Sequence, residues 1–484
     1  MSGSVATRPV TNLAQLLLDH PFDDDQPLLH GPVATRTAGE ARTGARALAT
    51  ELEESGVRAG NAVGLRLPSG PEFVVAMMGV WLADAVLVPI NDRLPLEGLE
   101  HVIEAVEPAA VIESGGIRVL GGTRRFDPGV AFVTWTSGTT GAPKPILHTH
   151  PAYLELLDRV LGPLRGTTGR DGRPPSPNLI PVPLALNAGI YNALFGLRAG
   201  APLVIMDRFT TAGFAELVRE FEIRSTVLPP AAIAMLNDDP AIETLSPLRF
   251  VRSITAPLSP LQARRLNERF GVFVLNSYGQ AEIGEVIGWT ASDAREHPHK
   301  VGAVGRPHPG VAIKVVGDTP LGAGEIGELF VRPPQMAAGY ADGTELSDRI
   351  DDEGYVATGD LARIDEAGFV WIEGRKGDLI NRGGNKVFPE EVEEVLRLAP
   401  GVREAAVVGA PDDRLGEVPV AFVVGDPGLD LGELRSLCRR HLVPYKIPVD
   451  FVLTQSLPRT EVGKLRRGDL VARYRPPGPD TSPT

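Results

Sequence analysis

Short apolar strands alternate with helical stretches between residues 61 and 112, and this alternation limits the fold more than any other feature of the sequence. Strands are predicted at 62–67, 86–90 and 109–112, and helices at 71–83 and 94–106. Strands and helices that alternate in this way form βαβ units, in which helices cover a largely parallel sheet. The alternation returns between residues 201 and 275. The sequence therefore predicts an α/β protein whose large N-terminal part is built from layered sheets and helices.

The pattern changes near residue 310. Short alternating runs at 312–316 and 328–331, separated by glycine-rich turns, predict a β-rich subdomain of antiparallel strands. After Gly374, helices at 389–398 and 431–442 and strands at 404–408 and 418–424 predict a small α+β domain. A chain of 484 residues exceeds the usual size of one hydrophobic core. We therefore predict an N-terminal domain of residues 1–376, a C-terminal domain of residues 377–475 and a proline-rich, disordered tail of residues 476–484.

Charge and cysteine content argue against several classes of protein. Forty-eight Lys and Arg residues against 61 Asp and Glu residues give a net charge of −13, which disfavours nucleic acid or an anionic membrane as a partner. The single cysteine, Cys438, excludes an intramolecular disulfide framework and a Cys-rich metal site. The apolar stretch from 73 to 90 is interrupted by Asp84, and the N-terminus lacks an apolar signal core. We expect a soluble, cytoplasmic protein without a membrane span.

A phosphate-binding loop is predicted in the segment Val133-Thr-Trp-Thr-Ser-Gly-Thr-Thr-Gly-Ala-Pro-Lys144. Its two glycines allow backbone amides to approach phosphate oxygens closely, and its hydroxyl side chains and Lys144 add hydrogen-bond donors. Composition alone leaves a simple polar turn as an equal alternative. A Walker loop is excluded, because the pattern GxxxxGK[ST] occurs nowhere in the chain.

This segment resembles the signature loop of the adenylate-forming superfamily, which comprises acyl- and aryl-CoA synthetases, peptide-synthetase adenylation domains and luciferases. Further segments resemble that superfamily, in the same order, along nearly the whole chain: Asn-Ser-Tyr-Gly-Gln-Ala-Glu at 276–282, Gly-Glu-Leu at 327–329 with Gly-Tyr at 339–340, Thr-Gly-Asp-Leu at 358–361, the stretch from 374 to 393, and Leu-Pro-Arg-Thr-Glu-Val-Gly-Lys at 457–464. The resemblance implies an acyl- or aryl-CoA ligase that uses ATP, Mg²⁺ and coenzyme A, makes an acyl-adenylate from a small carboxylic acid, and has a mobile C-terminal domain.

The resemblance also implies nucleotide-binding roles. The β- and γ-phosphates would be held by Thr136, Ser137, Gly138, Thr139, Thr140, Gly141 and Lys144. Tyr278 would stack on adenine beside Ala256 and Pro257, within a segment that includes Asn276, Ser277 and Gly279. Glu282 would bind Mg²⁺, a hard cation that suits one carboxylate together with phosphate oxygens. Asp360 would accept hydrogen bonds from the ribose hydroxyls, with Arg375 nearby.

Residues toward the C-terminus would carry catalytic and conformational roles. Lys464 would bridge the attacking carboxylate and the α-phosphate, because a cation between two anions offsets their repulsion in the transition state. Gly377 occupies the hinge position about which the small domain would rotate between the two half-reactions, and glycine permits large φ/ψ changes. Gly383 and Gly384 would let the backbone approach the pantetheine of coenzyme A.

The predicted acid pocket and the adenylation motif depart from the family pattern. The pocket candidates are Leu186, Asn187, Gly189 and Thr255. Ala185 and Leu186 replace the family's aromatic–His pair, which favours an atypical acid, and Ala281 replaces the threonine of the YGxTE motif. Three alternatives stay open. The protein would perform only the thioester step from a supplied acyl-adenylate, it would transfer the acyl group to a carrier protein or an amine, or it would activate an acid that is not a carboxylic acid.

Overall fold

The computed structural model describes residues 11–135, 144–168, 175–254, 256–317, 319, 321–459 and 465–475. Several predicted site residues lie outside the described residues: Thr136, Ser137, Gly138, Thr139, Thr140, Gly141, Thr255 and Lys464. The predicted tail, residues 476–484, lies outside them as well. None of the helices in the described part of the chain combines the length and the apolar character that a membrane crossing requires.

The helices in the described residues are α1 (Gln15–Leu18), α2 (Ala38–Glu54), α3 (Pro71–Leu82), α4 (Leu96–Val106), α5 (His150–Thr168), α6 (Asn187–Arg198), α7 (Thr211–Glu220), α8 (Pro230–Asp238), α9 (Pro260–Phe270), α10 (Ala291–Glu296), α11 (Pro389–Leu396), α12 (Leu431–His441) and α13 (Arg467–Arg473). The strands are β1 (Pro27–His30), β2 (Thr35–Thr37), β3 (Ala62–Leu65), β4 (Val86–Pro89), β5 (Ala110–Glu113), β6 (Gly116–Val119), β7 (Val130–Trp135), β8 (Pro145–Thr149), β9 (Asn178–Ile180), β10 (Leu203–Ile205), β11 (Ser225–Leu228), β12 (Phe250–Ser253), β13 (Phe273–Gln280), β14 (Gly284–Gly288), β15 (Arg306–Pro307), β16 (Ala312–Val316), β17 (Gly327–Arg332), β18 (Gly339–Tyr340), β19 (Val356–Ile364), β20 (Val370–Arg375), β21 (Ile380–Arg382), β22 (Asn385–Val387), β23 (Val402–Asp412), β24 (Gly416–Gly425) and β25 (Asp450–Leu453).

Two compact units make up the described chain, and each is considered by itself. The first contains the described residues within 11–135, 144–312 and 332–350, and the second contains those within 313–331 and 351–475. The domain limits at residues 376 and 475 remain predictions.

The first unit contains two large sheets. One has nine strands in the order β15-β14-β13-β12-β11-β9-β10-β1-β2, and the other has seven in the order β18-β8-β7-β4-β3-β5-β6. Their central strands pair in parallel, as in β3 with β4 and β12 with β13. Every residue of β3 and β4 is buried, which is typical of parallel strands covered on both faces. The α/β prediction for this part of the chain is confirmed.

One strand of the first unit is longer than predicted, and it positions a motif. The apolar run at 272–275, which predicts a strand, continues to Gln280 as part of β13, and the chain then turns back into the antiparallel strand β14. Tyr278 lies opposite Ile287, and Gly279 lies opposite Glu285. The motif at 276–282 therefore occupies the end of β13 and the turn that follows it.

The second unit contains smaller sheets. Strands β16, β17, β19 and β20 form one sheet, and β22, β21, β24 and β23 form another to which β25 is added beside β24. Helices α11 and α12 contribute Val392, Leu434 and Cys438 to a core beneath the second sheet. The predictions of antiparallel strands and of a C-terminal α+β region are confirmed, and Cys438 is buried in this core.

Candidate functional site

Two parallel strands bring the predicted adenine-binding segments side by side. Ser253, the last residue of β12, is in register with Asn276 of β13. The Ser277 hydroxyl donates a hydrogen bond to the Ser253 carbonyl oxygen at 3.2 Å. Ala256 and Pro257 follow β12 and are exposed to solvent. The carboxyl ends of these strands are therefore an accessible edge, which is where open α/β sheets bind ligands.

A cavity lies next to this edge. It has a volume of about 130 Å³, and its wall includes Leu258, Asn276 and Trp289. The backbone N–H of Trp289 donates to the carbonyl oxygen of Asn276 at 3.1 Å, and its indole N–H donates to the carbonyl oxygen of Ala303 at 2.8 Å. These bonds fix the wall of the cavity against the strand that carries Tyr278.

Glu282 is a firmly held carboxylate in the turn after β13. It is only 9% exposed, and its Oε1 accepts hydrogen bonds from the Tyr340 hydroxyl at 2.9 Å and from Arg349 Nη1 at 3.2 Å. Burial and the neighbouring Glu282 carboxylate raise the pKa of Tyr340 to about 12. Tyr340 therefore remains a hydrogen-bond donor at neutral pH and holds Glu282 in one orientation.

Arg349 links this carboxylate to the tyrosine predicted to stack on adenine. Its Nη2 donates to Gln280 Oε1 at 2.9 Å, and Gln280 Nε2 donates to the Tyr278 hydroxyl at 3.3 Å. We call these five side chains, Tyr278, Gln280, Glu282, Tyr340 and Arg349, the Glu282 network. The network couples the predicted metal ligand to the predicted adenine-binding residue.

Three members of the Glu282 network were not predicted as site residues: Gln280, which lies within the motif at 276–282, Tyr340 and Arg349. Tyr340 lies in the Gly-Tyr segment that resembles the family, so a signal for it was present. Arg349 follows that segment without any recognisable pattern, and its position became evident only from its bonds to Gln280 and Glu282.

Lys144 is the one predicted phosphate-loop residue within the described part of the chain. Strands β7 and β8 pair so that Trp135 is opposite Pro145, which places the two ends of the loop side by side. Lys144 Nζ lies 5.4 Å from the centroid of the Tyr340 ring. The pKa of Asp342 is lowered chiefly by the Thr344 N–H and also by Lys144. The lysine is therefore close to the Glu282 network.

The described acid-pocket candidates lie at the start of α6. The Tyr153 hydroxyl donates to Asn187 Oδ1 at 2.9 Å, so α5 fixes the first residue of α6. A Cβ at Gly189 would lie 2.2 Å from the carbonyl oxygen of Pro183, so only glycine fits at this position. Leu186 precedes the helix and is partly buried. These contacts define one wall of the predicted pocket.

In the second unit, the structure brings Asp360 and Arg375 together. They are in register on β19 and β20, and Arg375 Nε lies 2.7 Å from Asp360 Oδ1. The Asp360 side chain is buried, whereas that of Arg375 is 41% exposed. The Thr358 hydroxyl accepts from the Asp360 N–H at 3.1 Å and donates to the Leu329 carbonyl oxygen at 2.7 Å. The carboxylate is therefore fixed on a rigid sheet.

The remaining predicted glycines also lie in the second unit. Gly383 and Gly384 form the turn between β21 and β22 with φ angles of +55° and +87°, which suits a two-residue hairpin loop of glycines. Gly377 lies in a short 3₁₀ helix, Lys376–Asp378, and a Cβ added at this position would meet open space. The next residue, Asp378, pairs with Arg467 Nε at 3.3 Å. The hinge and coenzyme A roles remain predictions.

Family models match most of the chain. The model described as AMP-binding enzyme matches residues 22–125 and 122–341, and the model described as AMP-binding enzyme C-terminal domain matches residues 391–464. The chain belongs to the AMP-binding enzyme family. The resemblance to adenylate-forming enzymes noted from the sequence is thereby confirmed.

Individual known proteins resemble this chain over most of its length. Indoleacetate–CoA ligase from Aromatoleum aromaticum is 29% identical over 88% of this chain and 91% of its own length. The fatty acid–acyl-carrier-protein ligase ScoC from Streptomyces coeruleorubidus is 27% identical over 88% of this chain and 89% of its own length. The structure of the amide bond synthetase McbA from Marinactinospora thermotolerans superposes with a TM-score of 0.83 at 26% identity, covering 96% of this chain and 100% of that chain. Because the names of these three proteins indicate different acyl acceptors, family membership alone does not define the acceptor.

Proposed function

We propose that this protein is an ATP-dependent acyl- or aryl-CoA ligase that works through an acyl-adenylate. The observation that carries the proposal is the Glu282 network, in which a buried carboxylate is fixed close to Lys144 and linked to Tyr278. In a chain that belongs to the AMP-binding enzyme family, these groups would hold a nucleotide and a metal ion at one edge of the sheet.

Charge neutralisation is the main chemical requirement of the first half-reaction. A carboxylate oxygen of the acid attacks the α-phosphorus of ATP, and pyrophosphate leaves with the electron pair of the broken bond. Both reactants are anions, so fixed cations lower the barrier. We assign this role to Lys464 at the attacking carboxylate and to Lys144 at the departing phosphates. Mg²⁺ on Glu282 would add positive charge at the phosphate oxygens, and a single carboxylate whose orientation is already fixed suits such an ion.

The motif at 276–282 and the motif at 358–361 each supply a candidate partner for the nucleoside. Tyr278 offers an aromatic face for adenine beside the exposed Ala256 and Pro257. Asp360 offers a buried carboxylate acceptor for ribose hydroxyls, and its hydrogen-bonded backbone and its pair with Arg375 keep it in place. We propose these as the adenosine-binding residues.

Coenzyme A is the proposed acceptor of the second half-reaction. Its thiol sulfur attacks the carbonyl carbon of the acyl-adenylate, and AMP leaves with the bridging oxygen. The turn at 383–384 consists of two glycines and therefore has no side chains, which suits close approach of an extended pantetheine chain to the backbone. Indoleacetate–CoA ligase supports this acceptor, whereas ScoC and McbA support the alternatives of a carrier protein and an amine.

Ala281 favours a second candidate, in which only the thioester step is retained. Its methyl group packs against an apolar cluster formed by Ile146, Ala337 and Leu346. No hydroxyl is therefore supplied at this position. A hydrogen bond to a charged group is worth about 1.5–3 kcal/mol, so its loss slows adenylation by roughly 10–100-fold unless another donor replaces it.

Mass spectrometry of reaction products tests both candidates. The protein is supplied with a panel of carboxylic acids, Mg-ATP and coenzyme A, and in parallel with preformed acyl-adenylates and coenzyme A. The complete ligase yields AMP and an acyl-CoA from a free acid. If a thioester forms only from the supplied adenylates, the second candidate is supported. If neither reaction yields AMP or a thioester, both candidate functions are contradicted. Glu282→Gln should lower AMP formation, and Glu296→Gln, an exposed carboxylate of α10, is the matched control.

A further inference from the structure

A group of buried charged side chains lies close to Glu282, where α6, β12 and β14 meet. Arg252 of β12 forms an ion pair with Glu285 of β14. His308 Nε2 lies 3.0 Å from Glu285 Oε1, and the Tyr191 hydroxyl of α6 lies 3.5 Å from Glu285 Oε2. The side chains of Arg252, Glu285 and His308 are 15%, 9% and 11% exposed. We call these four residues the Arg252–Glu285 cluster.

The opposite charges of Arg252 and Glu285 compensate each other inside this cluster. Burial by itself would raise the pKa of Glu285, but Arg252 and His308 lower it below its ordinary value. Burial also opposes the charge of Arg252, yet Glu285 and Tyr191 raise the pKa of its guanidinium above the ordinary value. The cluster therefore holds a stable ion pair whose polar atoms are engaged with one another.

Arg159 of α5 adds a second buried guanidinium whose donors are not all engaged. Its side chain is 2% exposed, and its Nη1 lies 3.5 Å from Glu155 Oε2. Its Nη2 donates a long hydrogen bond of 3.4 Å to the Ile283 carbonyl oxygen. Within the described residues, neither Nε nor Nη1 has a hydrogen-bond acceptor. A buried charged donor without an acceptor is costly, so the position calls for an acceptor from outside these residues.

Several contacts place Arg159 and the cluster next to the hairpin and to α6, the helix that carries the predicted acid-pocket candidates. Tyr191 follows Asn187 by one turn of α6, so both side chains lie on the same face of the helix. Glu285 is paired across the hairpin with Gly279, the neighbour of Tyr278. A Cβ at Gly284 would lie 2.9 Å from a methyl carbon of Leu156 and 3.4 Å from Arg159 Nη2, so α5 is packed directly on this hairpin. The cluster thus lies between the elements that carry the predicted acid and adenine sites.

We propose that the Arg252–Glu285 cluster forms the polar end of the acyl pocket, where Arg159 binds a second anionic or carbonyl group of the acid. This inference rests on the proposed function and assigns its substrate class: a carboxylic acid that carries a second carboxylate or another strong hydrogen-bond acceptor. Guanidinium N–H groups match a planar carboxylate in geometry and in charge. A simple aliphatic acid would leave Arg159 Nε and Nη1 without a hydrogen-bond acceptor in a desolvated pocket, and such a site disfavours that acid.

Matched acid pairs test the substrate class. AMP formation with Mg-ATP is measured for adipate against hexanoate and for phthalate against 2-methylbenzoate, which differ only in the second carboxylate. We expect the wild-type kcat/KM to favour one or both diacids by about 10–100-fold, as one hydrogen bond to a charged group predicts. Arg159→Leu should abolish this preference, so that the diacid and the monoacid of each pair have similar kcat/KM values. The preferred diacid should also raise the Tm of the wild-type protein and not that of Arg159→Leu.

Arg198 provides the matched control. It lies on α6 and is fully paired with Asp158 of α5 through two contacts of 2.8 Å. Arg198→Leu should keep the diacid preference. If Arg159→Leu fails to fold, Arg159→Gln replaces it, because Gln keeps a polar side chain without the charge.

The inference and the proposed function fail in different ways. The inference is overturned if the wild-type protein uses monoacids as well as diacids, or if the diacid preference survives in the folded Arg159 variant. In both cases AMP still forms, so the proposed function stands. Absence of AMP with every acid contradicts the proposed function. In that case the Tm comparison still decides the inference, because equal Tm values with and without each diacid overturn it.

Discussion

The Glu282 network and the Arg252–Glu285 cluster are built on the same hairpin, yet they use carboxylates in different environments. Glu282 is held by Tyr340 and by an arginine that is 32% exposed, whereas Glu285 is enclosed by partners that are almost entirely buried. A partly exposed ion pair contributes little to stability, but removing one partner of a buried pair is costly. The comparison teaches that the Glu282 network is suited to the chemistry that every acid undergoes. The Arg252–Glu285 cluster is suited to stabilising the protein interior and to selecting the acid.

The largest effect is expected from Lys464→Ala, which would isolate the shared chemistry. Two unit charges roughly 4 Å apart at an effective dielectric near 20 interact by about 4 kcal/mol, which corresponds to about 10³ in rate. Adenylation of every acid should fall by about this factor, while thioester formation from supplied acyl-adenylate stays nearly intact. Single-turnover measurement of AMP and thioester checks this. Arg466→Ala serves as the control, and equal loss of both steps would rule out the role of Lys464.

The next largest effect concerns the stability that the buried cluster provides. Glu285→Gln leaves the Arg252 charge buried without its counter-ion and should lower the free energy of unfolding by about 3–5 kcal/mol. The double variant Arg252→Met with Glu285→Leu removes both charges and should recover most of that loss. Urea unfolding followed by intrinsic fluorescence measures both. A loss below about 1 kcal/mol in the single variant would show that the cluster behaves like a surface pair.

Arg349→Met in the Glu282 network should have the opposite effect: a large loss of activity with little loss of stability. It removes the charged donor to Glu282 and Gln280, so AMP formation should fall by about 10–100-fold. Because the arginine is partly exposed, the free energy of unfolding should change by less than about 1 kcal/mol. Steady-state AMP release and urea unfolding are compared with Arg198→Met as the control. A large loss of stability with unchanged activity would contradict the division between the two regions.

The smallest effect is expected from Ala281→Thr, which sharpens the description of the Glu282 network. A threonine hydroxyl beside Glu282 restores a donor that the family motif contains, and adenylation should rise by about tenfold. Ala281→Val, which carries a methyl group in place of the threonine hydroxyl, is the matched control. An equal response of the two variants in pyrophosphate release would show that packing, rather than hydrogen bonding, governs this position.

The fold was largely predictable because its signals are local. Between residues 61 and 112, each predicted strand and helix is present with ends that differ by at most two residues. Apolar periodicity over ten residues is enough to distinguish a helix from a strand. The extension of β13 to Gln280 was not predicted, because its last residues, Ser277 to Gln280, lack the apolar pattern of a buried strand.

The candidate site was predictable only where a motif marks it. Tyr278, Glu282 and Asp360 were identified because each lies within a short segment of recognisable composition. Arg349 and Arg252 were not, because they reach Glu282 and Glu285 from positions 67 and 33 residues away in the chain. Such contacts form only when the sheet and the helices have assembled, and no short sequence pattern predicts them.

Transfer of isotope from the acid to AMP tests the central claim most directly. The protein is incubated with Mg-ATP, coenzyme A and an acid whose carboxylate carries heavy oxygen, and the AMP is analysed by mass spectrometry. Attack of the carboxylate on the α-phosphorus, followed by thiol attack on the carbonyl carbon, predicts AMP that contains one heavy oxygen from the acid. Unlabelled AMP, or heavy oxygen found only in released phosphate, would contradict an acyl-adenylate intermediate.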